Sequence, residues 1–143
     1  MKLSHLTALA LSLCIPPSLS AAQSLTIEVN IPEAEAMGNI RAGLFMNADS
    51  FASGTYLMGV SVPARAGMNL VILPDVPAGT YGLSLYIDQN ENEVLDRNLL
   101  NIPVEPYGFS NDPRIGMRAP DFATFAFTHT SKDTSLRVTL NGL

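Results

Sequence analysis

Leu25, Ile27, Val29 and Ile31 alternate with Ser24, Thr26, Glu28 and Asn30, and Pro32 closes the run. Strict alternation sends the two sets to opposite faces of a pleated strand, so this stretch reads as a half-buried β-strand. The pattern returns in Ile40, Ala42, Leu44 and Met46, in Met68, Leu70 and Ile72, and in Tyr81, Leu83, Leu85 and Ile87. It returns again in Ala123, Phe125 and Phe127, and last in Leu136, Val138 and Leu140. Turn formers separate the runs: Gly38-Asn39, then Pro74-Asp75-Val76-Pro77-Ala78-Gly79, then Ser131 to Thr134. In the second of these two prolines fix φ, and Gly79 is free to take a positive φ. Glu33 to Met37 favours a short helical turn, and 47–67 is a long connection with room for a short strand from Tyr56 to Val60. No long helical period and no internal repeat appears. With 143 residues there is room for one domain. The expected fold is all-β, a two-sheet antiparallel sandwich of about seven strands, with a small closed barrel as the alternative.

The first 22 residues stand apart. Lys2 and His5 precede an apolar run from Leu6 to Ile15 that is too short to span a bilayer, and Ser20-Ala21-Ala22 offers the small residues a signal peptidase reads. Pro16-Pro17 would break a buried helix there. Residues 1–22 are therefore expected to be a signal peptide and 23–143 the single β-sandwich domain. Cys14 is the only cysteine, and a lipoprotein would need a small residue before it where Leu13 stands. Cleavage after Ala22 leaves no thiol, hence no disulfide. The chain carries a formal net charge of -5 and no basic run, which argues against nucleic acid or anionic membrane surfaces as partners. No later segment is long and apolar enough to cross a bilayer, so the expected location is periplasmic or secreted, without membrane insertion.

One polar stretch interrupts the strands. Asp88, Asn90, Asn92 and Asp96 stand at relative positions one, three, five and nine, with the Val94 carbonyl at seven. Oxygens at this spacing let a tight loop present ligands inward to a hard cation such as Ca²⁺, which takes about six to eight of them. Glu93 at position six and Leu99 at position twelve replace the glycine and bidentate glutamate of an EF-hand, so this is not one. Glu105, between Val104 and Pro106, is the candidate for the missing ligand, and Asp112 a weaker one. With so few carboxylates a dissociation constant on the order of 10⁻⁴ to 10⁻³ M is expected. The competing reading is a plain turn, because Asp and Asn side chains bond their own backbone.

The run Asp-x-Asn-x-Asn-x-x-Leu-Asp, the following Asn-x-x-x-x-Pro-x-Glu-x-Tyr-Gly-Phe-Ser-Asn and the upstream Pro-Ala-Gly-Thr-Tyr resemble an exported bacterial family of unknown function, DUF2141. The likeness is densest from Val76 to Asn111. In that family glycine usually stands where this chain has Glu93 and Asn101. The resemblance implies a small transthyretin-like or immunoglobulin-like β-domain and brings no known activity.

Other groupings constrain less. Gly108-Phe109-Ser110-Asn111-Asp112 has only a superficial likeness to a nucleophile elbow, lacking the second glycine and a following helix. Ser110 with His129, and Asp121 or Asp133 as orienting acid, makes a triad on paper only. Glu91, Glu93 and Asp96 could be read as glycosidase acids, but solvated loop carboxylates are the commoner outcome. Tyr86, Tyr107 and Phe109 could line a binding surface or pin the loop to the sandwich. The function expected is a non-enzymatic exported module with a calcium-stabilised loop, acting in structure or interaction with a protein or glycan partner. The alternative is a calcium-dependent carbohydrate- or small-ligand-binding module.

Overall fold

The computed structural model describes residues 23–130 and 132–142; the expected signal peptide, Cys14 included, lies outside the described residues. The elements in order are β1 (Gln23–Ile31), β2 (Asn39–Phe45), α1 (Ala48–Ala52), β3 (Met58–Pro63), β4 (Gly67–Val76) and β5 (Gly79–Asp88). Then come β6 (Tyr107–Phe109), α2 (Phe122–Phe125), β7 (Ala126–His129) and β8 (Thr134–Val138). A single 3₁₀ turn, Glu33–Glu35, follows β1 where Pro32 stops the strand. Among the described residues no helix is long and apolar enough to cross a membrane.

The strands form the all-β sandwich read from the sequence, eight rather than about seven in number. One sheet runs β4-β1-β8 and the other β3-β2-β5-β6, with β7 also paired to β5. One pairing departs from the antiparallel expectation: β8 lies parallel to β1, from Leu25 opposite Thr134 to Val29 opposite Val138. β8 arrives by a short crossover from β7 in the other sheet, and nearly the whole chain lies between it and β1, as a parallel pair allows.

Leu25, Ile27 and Val29 of β1 meet Ile40 and Leu44 of β2 and Leu83, Leu85 and Ile87 of β5 across the interior, all fully buried. Each such side chain contributes about 1.5–3 kcal/mol relative to exposure. Three expectations change in register. Met46 lies outside the core because β2 ends at Phe45, which is buried instead. On β4 the buried set is Asn69, Val71, Leu73 and Val76, while Met68, Leu70 and Ile72 face outward. Ala123 is exposed because 122–125 is a helical turn, so that β7 begins only at Ala126. Gly79 also keeps an ordinary φ; the left-handed residue of that turn is Asp75 at φ 55°.

The same edge of β5 serves two partners. β7 pairs with Gly79 to Gly82 and β6 with Ser84 to Tyr86, which leaves Leu83 between them. Ser110 fills the gap. Its N–H donates to the Leu83 carbonyl at 3.0 Å, its hydroxyl oxygen accepts from the Leu83 N–H at 3.0 Å, and its O–H donates to the Phe125 carbonyl.

Candidate functional site

β5 ends on Asp88, whose register partner Asn39 fixes it against β2. Gly38 sits just before, at φ 69°, so close to the Asp88 carbonyl oxygen that a Cβ would collide with it. The strand end is thus clamped where the polar loop begins. Asp88 is fully buried, and its carboxylate faces inward into the loop. Oδ1 accepts from the Asn92 N–H at 3.0 Å; Oδ2 accepts from the Glu93 N–H at 3.0 Å and from Arg41 Nε at 2.7 Å. Burial alone would raise the Asp88 carboxyl, but the Arg41 hydrogen bond, the two amides and the Arg41 charge outweigh it and hold it below the ordinary carboxylate range. Tyr86, opposite Arg41 in the sheet, is pushed upward by desolvation and then by the Asp88 charge.

The asparagines continue the pattern. Asn90 Oδ1 accepts from the Asn92 N–H at 3.1 Å, and Asn92 Oδ1 accepts from the Val94 N–H at 2.9 Å. These are turns closed by side chains, as the competing reading anticipates. Glu105 closes the loop from its far side. It is buried, with Oε1 accepting from the Gln89 N–H at 2.9 Å and Oε2 from the Asp96 N–H at 3.0 Å. Beyond Asp96 the chain forms a small hairpin, in which Val104 N–H donates to the Asp96 carbonyl and Asn98 N–H to that of Ile102.

The expected metal ligands therefore gather in one loop but do different work. Asn90, Asn92 and Asp96 meet: the Asn90 amide donates to Asp96 at 2.6 Å and the Asn92 amide at 3.0 and 3.1 Å. Asp88 and Glu105 turn instead toward backbone N–H groups. Val94 presents an exposed side chain. The donor chemistry, carboxylate and amide oxygen, is that of a hard cation. Among the described residues, however, no three His, Cys, Asp or Glu side chains form a group able to hold a metal. Asp112 lies apart, bonded to the Thr139 N–H and hydroxyl, both at 2.8 Å.

The other candidates are placed elsewhere. Glu91 accepts from Asn39 at 3.3 Å and Glu93 pairs with Arg41 at 2.9 Å, both at the surface. His129 is buried with Nε2 against the Val76 carbonyl at 3.1 Å and Nδ1 against the Thr134 hydroxyl at 2.8 Å. Since a carbonyl can only accept, Nε2 carries a proton, and Nδ1 is engaged by the Thr134 hydroxyl. Both ring nitrogens are thereby used, and neither Ser110, Asp121 nor Asp133 is among their partners. Asp133 caps Ser24 instead, at 3.0 Å. Phe109 packs on Phe125 at 5.1 Å between centroids, with Tyr107 edge-on to it at 6.1 Å, so these aromatics pin the loop's exit to the sandwich. The residue that sequence reasoning missed is Arg41. Its signal was there: it is the one charged residue in β2, on the face away from the core.

A family described as "Uncharacterized protein conserved in bacteria (DUF2141)" matches residues 29–137. The chain belongs to the DUF2141 family. No curated protein and no solved structure matches it.

Glu93 and Asn101, where the DUF2141 resemblance has glycine, both adopt left-handed backbone, φ 68° and φ 61°. The loop of this DUF2141 chain thus holds a glycine-type conformation with side chains present. Asn tolerates that region, whereas a Glu is strained there by about 1–2 kcal/mol. Glycine loses part of this gain through its freer unfolded chain, about 0.4–1 kcal/mol. The Glu93 carboxylate is 72% exposed, so its contact with Arg41 adds little. Glu93→Gly is expected to stabilise the protein by about 0.5 kcal/mol, read by urea denaturation. A loss of stability in that variant would show the conformation to be unstrained.

Proposed function

We propose that this protein is a non-enzymatic exported β-sandwich module, acting in structure or interaction, and that calcium lends its long loop a small further stabilisation. The observation that carries the reading is the inward commitment of the loop's polar groups. Asp88 and Glu105 each accept from two backbone N–H groups, and Ser110 and His129 bond across to neighbouring strands. A loop so organised suits display, and among the described residues Ser110 and His129 are committed to joining strands. Carriage outside the cytoplasm rests on the N-terminal apolar run and its small-residue end.

Support for calcium comes from the meeting of Asn90, Asn92 and Asp96. The ion would replace the amide contacts made there, with the Val94 carbonyl and the remaining lone pairs of Asp88 and Glu105 completing a loose shell. At about 1 mM calcium and a dissociation constant near 0.1 mM, binding stabilises the fold by roughly 1.4 kcal/mol. Thermal unfolding of the purified mature domain is expected to shift upward by a few degrees with calcium, and much less with magnesium. An unchanged midpoint at millimolar calcium removes the ion from the proposal.

A further inference from the structure

Behind the loop lies a cavity that none of these contacts uses. About 520 Å³ in volume, it opens between the 95–103 limb of the loop and the 115–120 segment, with Tyr107 and Phe109 in its lining. That size suits a small organic molecule. Its walls are mixed: Leu95, Ile102, Pro103 and Ile115 give an apolar part, and two guanidinium groups, Arg97 and Arg118, give a charged one. No carboxylate lines it. In a chain of net charge -5 this is an unusual local balance. Three nearby acids are occupied, Asp96 with the two asparagine amides, Glu105 with backbone N–H groups and Asp112 with Thr139, while Asp121, just beyond Pro120, stays outside the lining and is in no ion pair among the described residues. Among the described residues neither arginine is ion-paired, and Arg97 is steadied by donating to the Asn101 carbonyl at 3.1 Å, with four of its five donors left.

We propose that this cavity binds a small organic anion, a carboxylate on a flat apolar body. Arg97 and Arg118 take the carboxylate, for which their planar forks are matched in geometry. Tyr107, Phe109, Pro103 and Ile115 cover the body. The site goes beyond the display role of the loop and does not need calcium, so the two stand or fall separately.

The test uses 1-naphthoate and its neutral isostere 1-naphthamide, titrated by calorimetry into the mature protein with a calcium chelator present. Naphthoate is expected to bind with a dissociation constant of roughly 0.1 mM and the amide at least about tenfold more weakly. Arg97→Gln and Arg118→Gln should each weaken naphthoate about five- to tenfold and narrow its advantage over the amide. Arg114→Gln, which removes the same charge from outside the cavity, should leave binding unchanged. Arg118 is exposed, so its loss should leave the thermal midpoint intact, which keeps the comparison clean. The proposal is overturned by absence of saturable binding up to about 2 mM, by equal affinity for the amide, or by an Arg114→Gln effect as large as that of Arg118→Gln.

Discussion

Replacing Asp88 by alanine is expected to cost about 3 kcal/mol of stability and to lower the thermal midpoint by roughly 10 °C. The substitution strands the Asn92 and Glu93 N–H groups and leaves Arg41 without its nearest anion. Removing one partner of a buried pair costs about 3–5 kcal/mol. The partner Arg41 is partly exposed, so solvent still polarises around the pair, and the lower end of that range applies. Asp88→Asn should cost less, because one oxygen remains to accept, but its amide then faces a donor.

The acid limb separates charge from shape. The folded carboxyl titrates below its unfolded value of about 3.9, so in that window the unfolded chain binds more protons. The Asp88 contribution is therefore complete above about pH 5 and is lost as pH falls through 4 toward the folded value. Stability curves of the native protein and Asp88→Asn should be parallel near neutrality and converge in acid. A gap that stays constant from about pH 6 to pH 3, or an alanine variant within 1 kcal/mol of native, would mean that the carboxylate is not ionised and anchored as described.

The loop was legible because its chemistry is local. Asp88, Asn90, Asn92 and Asp96 announce themselves by spacing, and the side-chain-closed turns they make need only their own neighbours. What spacing does not carry is direction. A carboxylate aimed at a cation and one aimed at the N–H four residues on have the same sequence, and Arg41, forty-seven positions away from Asp88, decides where Asp88 points. The strands obey the same division. β1 alternates apolar with polar, so its buried face follows from the pattern. In β4 both sets carry apolar residues, Met68, Leu70 and Ile72 against Val71 and Leu73, and period two cannot tell inside from outside. There the deciding residue is Asn69, polar yet buried, because its side chain bonds the Arg65 and Gly67 backbone. The parallel pairing of β8 with β1 joins residues more than a hundred positions apart, such as Leu25 and Thr134, and leaves no local trace.

Glu105 supplies the second large effect. Its two oxygens hold two different backbone N–H groups, Gln89 at the start of the loop and Asp96 at its turn, across a buried site. Glu105→Ala should therefore cost about 2–3 kcal/mol, since each buried donor left unpaired costs about 1–3 kcal/mol and water recovers part of it. Glu105→Gln distinguishes this geometry from a simple charge effect. An amide offers one acceptor and presents an NH₂ to the other donor, so one of the two bonds must fail, and the expected loss is about half that of alanine. Hydrogen exchange gives the local readout: the Gln89 and Asp96 amides should both lose protection in Glu105→Ala, and one of them in Glu105→Gln. Because both bonds run to backbone N–H groups, these losses should appear in chelator as well, with calcium adding no more than its own small stabilisation. If instead Glu105→Ala is harmless in chelator and costly only in calcium, the residue is a metal ligand first and a backbone clasp second, and the loop is ordered by the cation rather than by the chain.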